Sequence, residues 1–185
     1  MKRFQLTISL ATMLLFHGCA TWETIETIEE ASLSIDKDRI TAEGPVGWLA
    51  FASGKRLFIS REGPFAHGVY VEKKTLANAF RRTKAPVTAN TLITNMVDYY
   101  TAEVKKELEG LKVNVESTEF AKLSGKSGAK AHYSYATSDG LMIDLICYFT
   151  VHEGHFYEIV YKTPRLHLLE RDQELVEDFI ASIEF

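Results

Sequence analysis

The segment His152-Glu153-Gly154-His155 holds two imidazoles and a carboxylate around a turn, the residue types that ligate zinc or copper. Whether they can share an ion depends on the turn. A two-residue loop sets the histidines opposite each other on one face. A three-residue loop draws one of them into the turn, and they diverge. The apolar face Leu141, Ile143, Leu145, Cys147, Phe149 and Val151 matches Tyr157, Ile159 and Tyr161 better in the three-residue register. No metal is therefore expected, with His152 and His155 as the candidates if one binds. His132 with Asp144, or Ser138 with Asp139, are residue types of a hydrolase, but no Gly-x-Ser-x-Gly elbow accompanies them. Ser138 and Asp139 are accounted for as turn formers. Cys147 sits between Leu145 and Phe149 in strand-like sequence and reads as a small buried hydrophobe. No glycine-rich phosphate loop is present. The expectation is a protein that is not an enzyme and has no cofactor.

Two features suit binding instead. Residues 73–90 are irregular and hold Lys73, Lys74, Arg81, Arg82 and Lys84, the densest positive segment of a chain with net charge −4. This stretch is the candidate contact for an envelope protein or an anionic surface. Tyr133, Tyr135, Tyr148, Tyr157 and Tyr161 could line a ligand pocket, although aromatic ladders on a sheet more often form core. The acidic balance argues against nucleic acid as a partner.

The elements that position these residues are readable from periodicity. Ile93, Val97, Tyr100, Val104 and Leu108 recur at three- and four-residue spacing and predict a helix over 91–109, closed by Gly110. Four strands follow, at 114–123, 129–137, 141–151 and 156–163, separated by Ser124-Gly125-Lys126, Ser138-Asp139-Gly140 and Glu153-Gly154. Gly turns at this spacing predict hairpins, hence an antiparallel meander. A terminal helix from about Glu170 would bury Leu175, Val176, Phe179, Ile180 and Ile183. Earlier strands are expected within 32–62 and at 68–74. With helices on both faces of one mainly antiparallel sheet, the fold class is α+β, a three-layer α/β/α sandwich.

The first twenty residues are of another kind. Lys2 and Arg3 precede a short apolar run, Phe4 to Phe16, and Gly18-Cys19-Ala20 follows directly. The run is too short to span a bilayer and has the order of a secretory signal. The cysteine at the cleavage point makes it resemble a bacterial lipoprotein signal. That resemblance implies removal of residues 1–18, lipid on Cys19, and a tether over 19–31 leading to one domain at 32–185. Ala20 stands where Asp would retain such a protein in the inner membrane, so the implied address is the outer membrane, facing the periplasm. Cys147 is then left without a disulfide partner, since the chain has two cysteines.

The layout also resembles the PsbP-like group, which includes DcrB-like bacterial lipoproteins. The marks are the Gly125–Gly128 turn before a Tyr-rich strand, the Asp139-Gly140 hairpin and the Gly154-x-x-Tyr157 strand running to Thr163-Pro164. The terminal helix ending Ala181-Ser182-Ile183-Glu184-Phe185 completes them. The resemblance covers about residues 40–185 and implies a fold, not a site. The functional expectation is a non-enzymatic envelope lipoprotein that binds a protein or envelope component and meets the membrane through its N-terminal lipid. The alternative is a periplasmic carrier of a small ligand or metal, using the tyrosines or the His152/His155 turn.

Overall fold

The computed structural model describes residues 22–27, 32–37, 39–63, 67–165 and 168–185. The leader and Cys19 lie outside the described residues. In chain order the elements are β1 (Glu23–Thr24), β2 (Ser32–Ile35), β3 (Ile40–Glu43), β4 (Leu49–Ser53), β5 (Arg56–Ser60) and β6 (Gly68–Thr75), then α1 (Ile93–Glu107). β7 (Val113–Leu123), β8 (Lys126–Ala136), β9 (Met142–His152), β10 (His155–Pro164) and α2 (Leu168–Ser182) complete the chain. Eight strands form one sheet in the order β1-β4-β5-β6-β10-β9-β8-β7, every neighbouring pair antiparallel. β2 and β3 form a separate hairpin.

Turn chemistry sets the meander. Ser124 and Gly125 have φ of 47° and 72°, and Glu153 and Gly154 have 46° and 71°. Two consecutive left-handed residues make the two-residue hairpin turn whose twist matches that of the strands. The second of these corrects the expected register: His152 and His155 lie directly opposite each other. Apolar matching could not decide the register, because β10 is buried on both faces.

That two-sided burial divides the core. Tyr157, Ile159 and Tyr161 of β10 join Val176, Phe179 and Ile180 of α2, together with Ile35, Ile40 and Ala42 of the β2–β3 hairpin. Phe156 and Val160, which alternate with them, join Met96, Tyr100 and Val104 of α1. Each fully buried apolar side chain of this size contributes about 1.5–3 kcal/mol. Leu175, expected inward, is exposed; the corresponding buried place on the α2 stripe is held by Asp172.

The expected tether is partly folded. Glu23 and Thr24 pair with Ala50 and Leu49, and the Ile25 N–H donates to the Trp48 carbonyl at 2.9 Å. Ile25 itself is buried in the α2-side core. Its place exists because Gly44 has no side chain: a Cβ there would lie 2.5 Å from Ile25 Cδ1 and 2.8 Å from Leu33 Cδ1. The acidic, threonine-rich composition of this stretch masked one strand-forming isoleucine.

Candidate binding cleft beside helix α1

β6 runs one residue beyond the expected 68–74, and Lys73 and Lys74 both lie within it, so strand alternation decides where they point. Strand period sends Lys73 to the α2 side, opposite Tyr157. There it is buried, donates to Asp36 at 2.6 Å and lies over the Tyr157 ring. Lys73 is thus unavailable as a partner contact, which corrects the sequence expectation. Lys74 points to the α1 side and pairs with Glu158.

On that side β6, β10, α1 and the 3-10 turn Leu76–Asn78 enclose a cleft of about 580 Å³. It continues into an inner chamber of about 280 Å³ against Tyr100, Tyr135, Leu145 and Cys147. The two share Tyr70, Lys74, Ala79, Glu103, Glu107 and Glu158. At the floor, the buried Glu158 accepts from Lys74 and, at 2.5 Å, from the Tyr100 hydroxyl. Higher up, Arg56 meets Glu72 at 2.8 Å and Arg82 meets Glu107 at 3.3 Å. Glu103 accepts from the backbone N–H groups of Arg82 and Thr83 and from the Thr83 hydroxyl. Burial would raise the Glu103 carboxyl, but those three donors win and hold it below its ordinary value.

Of the five predicted contact residues, Lys73, Lys74, Arg81 and Arg82 line this cleft, although the Lys73 ammonium is taken by Asp36; Lys84 does not line it. Lys55 and Arg56 were missed. They belong to the β4–β5 hairpin, and only the pairing of Arg56 with Glu72 across β5 and β6 brings them here. Lys55 and Arg81 line the cleft without an ion pair among the described residues.

The other candidate chemistry is held differently. His152 and His155 face each other, but His155 Nδ1 lies 2.9 Å from the Glu153 carbonyl and the His152 ring lies against Phe185. Among the described residues no group of three or more His, Cys, Asp or Glu could hold a metal ion. His132 does reach Asp144, at 2.7 Å, but the Arg165 guanidinium covers the same carboxylate from two nitrogens. Ser134 donates to Glu116 rather than to the histidine. Asp139 accepts from Thr137 within its turn. The five tyrosines do not form one ladder. Tyr133 lies in the α1-side core, Tyr157 and Tyr161 in the α2-side core, and Tyr148 packs against the latter.

Burial pushes the Cys147 thiol well above its ordinary value, although it borders the inner chamber. The thiolate is the reacting species. A small alkylating reagent should therefore label the native protein slowly at neutral pH and rapidly after denaturation, read by mass. Equal native and denatured rates would place Cys147 at an open surface.

No protein-family model matches the chain, and no curated protein matches it in sequence. Solved structures do match in fold. A protein from Bacteroides thetaiotaomicron aligns over 83% of this chain and 47% of its own, with 12% identity and a TM-score of 0.53, so this chain spans about half its length. The Ran-binding protein Mog1p of Saccharomyces cerevisiae aligns over 83% of this chain and 93% of its own, with 10% identity and a TM-score of 0.53. Cyanobacterial PsbP from Synechocystis sp. aligns over 91% of this chain and 95% of its own, with 14% identity and a TM-score of 0.60. At these identities the likeness concerns fold alone, and the fold it supports for this antiparallel sheet with two helices is PsbP-like.

Proposed function

We propose that this chain is a non-enzymatic cell-envelope lipoprotein whose α1 cleft binds an acidic segment of a protein partner. In this reading residues 1–18 are removed, Cys19 carries lipid, and the domain faces the periplasm from the outer membrane. The leader supports the address. The two cores on opposite faces of β10 support a three-layer α/β/α arrangement. The observation that carries the binding assignment is the pair Lys55 and Arg81, cations that make no ion pair within 4 Å of a carboxylate among the described residues, lining one cleft of an acidic chain. Inner cations already matched to Glu72, Glu107 and Glu158 shape the cleft rather than add to its charge.

The test uses a fluorescent peptide of alternating Glu and Gly with the full chain. Replacing Lys55→Glu and Arg81→Glu together should weaken binding roughly tenfold, from about 0.2–1 kcal/mol per exposed pair counted through removal and reversal. Binding by the parent should also fall with salt, since exposed charges are screened beyond about 10 Å at 0.1 M. Lys84→Glu with Lys105→Glu, away from the cleft, should change it little. Equal loss in both double variants would reduce the effect to net charge and defeat the assignment.

A second reading, a carrier of a small ligand, is supported by the inner chamber. Tyr70 and Tyr135 line it, and their hydroxyls make no hydrogen bond to a described residue. Neither oxygen is sealed from solvent, so both are free to donate to a bound acceptor.

A further inference from the structure

The described chain begins at Trp22, and its surroundings are unlike those of a linker. Trp22 is 37% exposed. Its ring packs on Phe51 at 5.3 Å and edge-on to Phe58 at 5.2 Å. Phe51 lies opposite Phe58, and Phe58 opposite Tyr70, so an aromatic row crosses β4, β5 and β6 on the α1 side. The row starts at the outer edge of the sheet, where β1 is only two residues long. Immediately behind Trp22 the backbone is fastened: Glu23 and Thr24 pair with β4, and Ile25 is buried.

We infer that this edge, with Trp22, Phe51 and Phe58, is the face the domain lays on the phospholipid surface; the inference rests on the reading of Cys19 as the lipidated residue. The argument is one of length. Two residues, Ala20 and Thr21, separate Cys19 from Trp22, and the three steps of extended chain between them cover at most roughly 11 Å. The polar layer of a bilayer is about 5–8 Å thick on each side. A chain anchored by acyl groups at Cys19 therefore holds Trp22 within that layer or no more than about 3–6 Å beyond it. Tryptophan is the side chain that favours this layer, its ring body apolar and its N–H able to donate to headgroups. A partner protein seated on the same patch would have to displace the lipid to which the patch is tied. Because β1 is part of the sheet, the domain has no slack to swing away. The β4–β5 hairpin that carries Lys55 and Arg56 is thereby oriented beside the membrane, and the α1 cleft opens next to it.

The test uses the lipidated full-length protein, reconstituted into phosphatidylcholine–phosphatidylethanolamine vesicles with plain or brominated acyl chains. The chain has two tryptophans, and Trp48 is 2% exposed, so it serves as an internal reference out of reach of lipid. Bromine should quench part of the emission, iodide in the water phase should lose access to the same part, and Trp22→Phe should remove it while retaining a stacked ring. Intact mass of the same sample reads whether Cys19 is acylated. Acylated protein with equal emission in plain and brominated vesicles would overturn the membrane face and leave the anchor standing. Protein with no acyl group on Cys19 would retire the anchor reading, and this inference with it. Shielding of Trp22 that rises with protein concentration in the absence of vesicles would assign the patch to a second copy and also overturn it.

Discussion

Asp172→Ala should lower the unfolding free energy by about 3 kcal/mol, the lower end of the usual cost of removing one partner from a buried ion pair. The Asp172 side chain is fully buried. It is met by Arg61 at 2.8 Å, by Arg171 from two nitrogens, and by His67 Nε2 at 3.0 Å. The lower end applies because both guanidinium groups reach solvent and can be hydrated when the carboxylate is gone. For a chain of this size that corresponds to a fall of roughly 6–12 °C in Tm. The pH dependence follows from the same contacts. Burial would raise the Asp172 carboxyl, but the hydrogen bonds from Arg171 and Arg61 outweigh it and hold it below its ordinary value. A carboxyl with a depressed folded value stabilises fully above its unfolded value, about 3.9, and the contribution is lost as pH falls through the folded value. The gap between parent and Asp172→Ala should hold steady from neutral pH to about 5 and shrink below about 4. Thermal unfolding of both proteins across that range checks it. Parallel curves into acid would mean that the cluster contributes nothing as an ion pair.

Phe149→Ala should cost about 3–5 kcal/mol, the range for emptying an aromatic site in a core. Phe149 is completely buried and stacks on Tyr100 at 4.4 Å with planes 9° apart. Phe156 lies 6.1 Å away on the same side, so the neighbours are rings that cannot close the gap without leaving their own contacts. Tyr100 also holds Glu158 at the cleft floor, which couples core packing to the cleft. Denaturant midpoints measure the cost. Phe120→Ala supplies the comparison: Phe120 is 72% exposed on β7, and its loss should stay within about 0.5 kcal/mol. If the two substitutions cost the same, the stacked rings would not be the centre of the α1-side core.

The meander and both helices were legible because their signals are local. Ile93 to Leu108 repeats at helical spacing, and each of the first three strands of the meander ends at a Gly-containing turn. Four features were hidden. β1 is two residues long, too short for any alternation to show. The His152–His155 register depended on which residues entered the left-handed region, whereas apolar matching across a strand buried on both faces was indifferent to it. The cleft joins Lys55 and Arg56 to Arg81 and Arg82 through pairing across β5 and β6. The buried His67–Asp172 contact likewise joins residues 105 positions apart, and an aspartate on an apolar helix stripe looks like a solvent-facing interruption until its cations are placed.

The pairing of β6 with β10 has a consequence for the order in which the molecule can form. Thr75 pairs with His155, so the first half of the sheet is joined to the second by the last strand to be synthesised. The hairpins of β7 to β10 close over short loops and can assemble as soon as they exist. β4, β5 and β6 must wait, because one side of β6 has no neighbour until β10 arrives and closure spans α1 and the whole meander. During synthesis the N-terminal hairpins emerge first yet finish last. For that interval β6 presents an open strand carrying Val69 and Val71, and a factor that shields extended apolar chain would act on this segment.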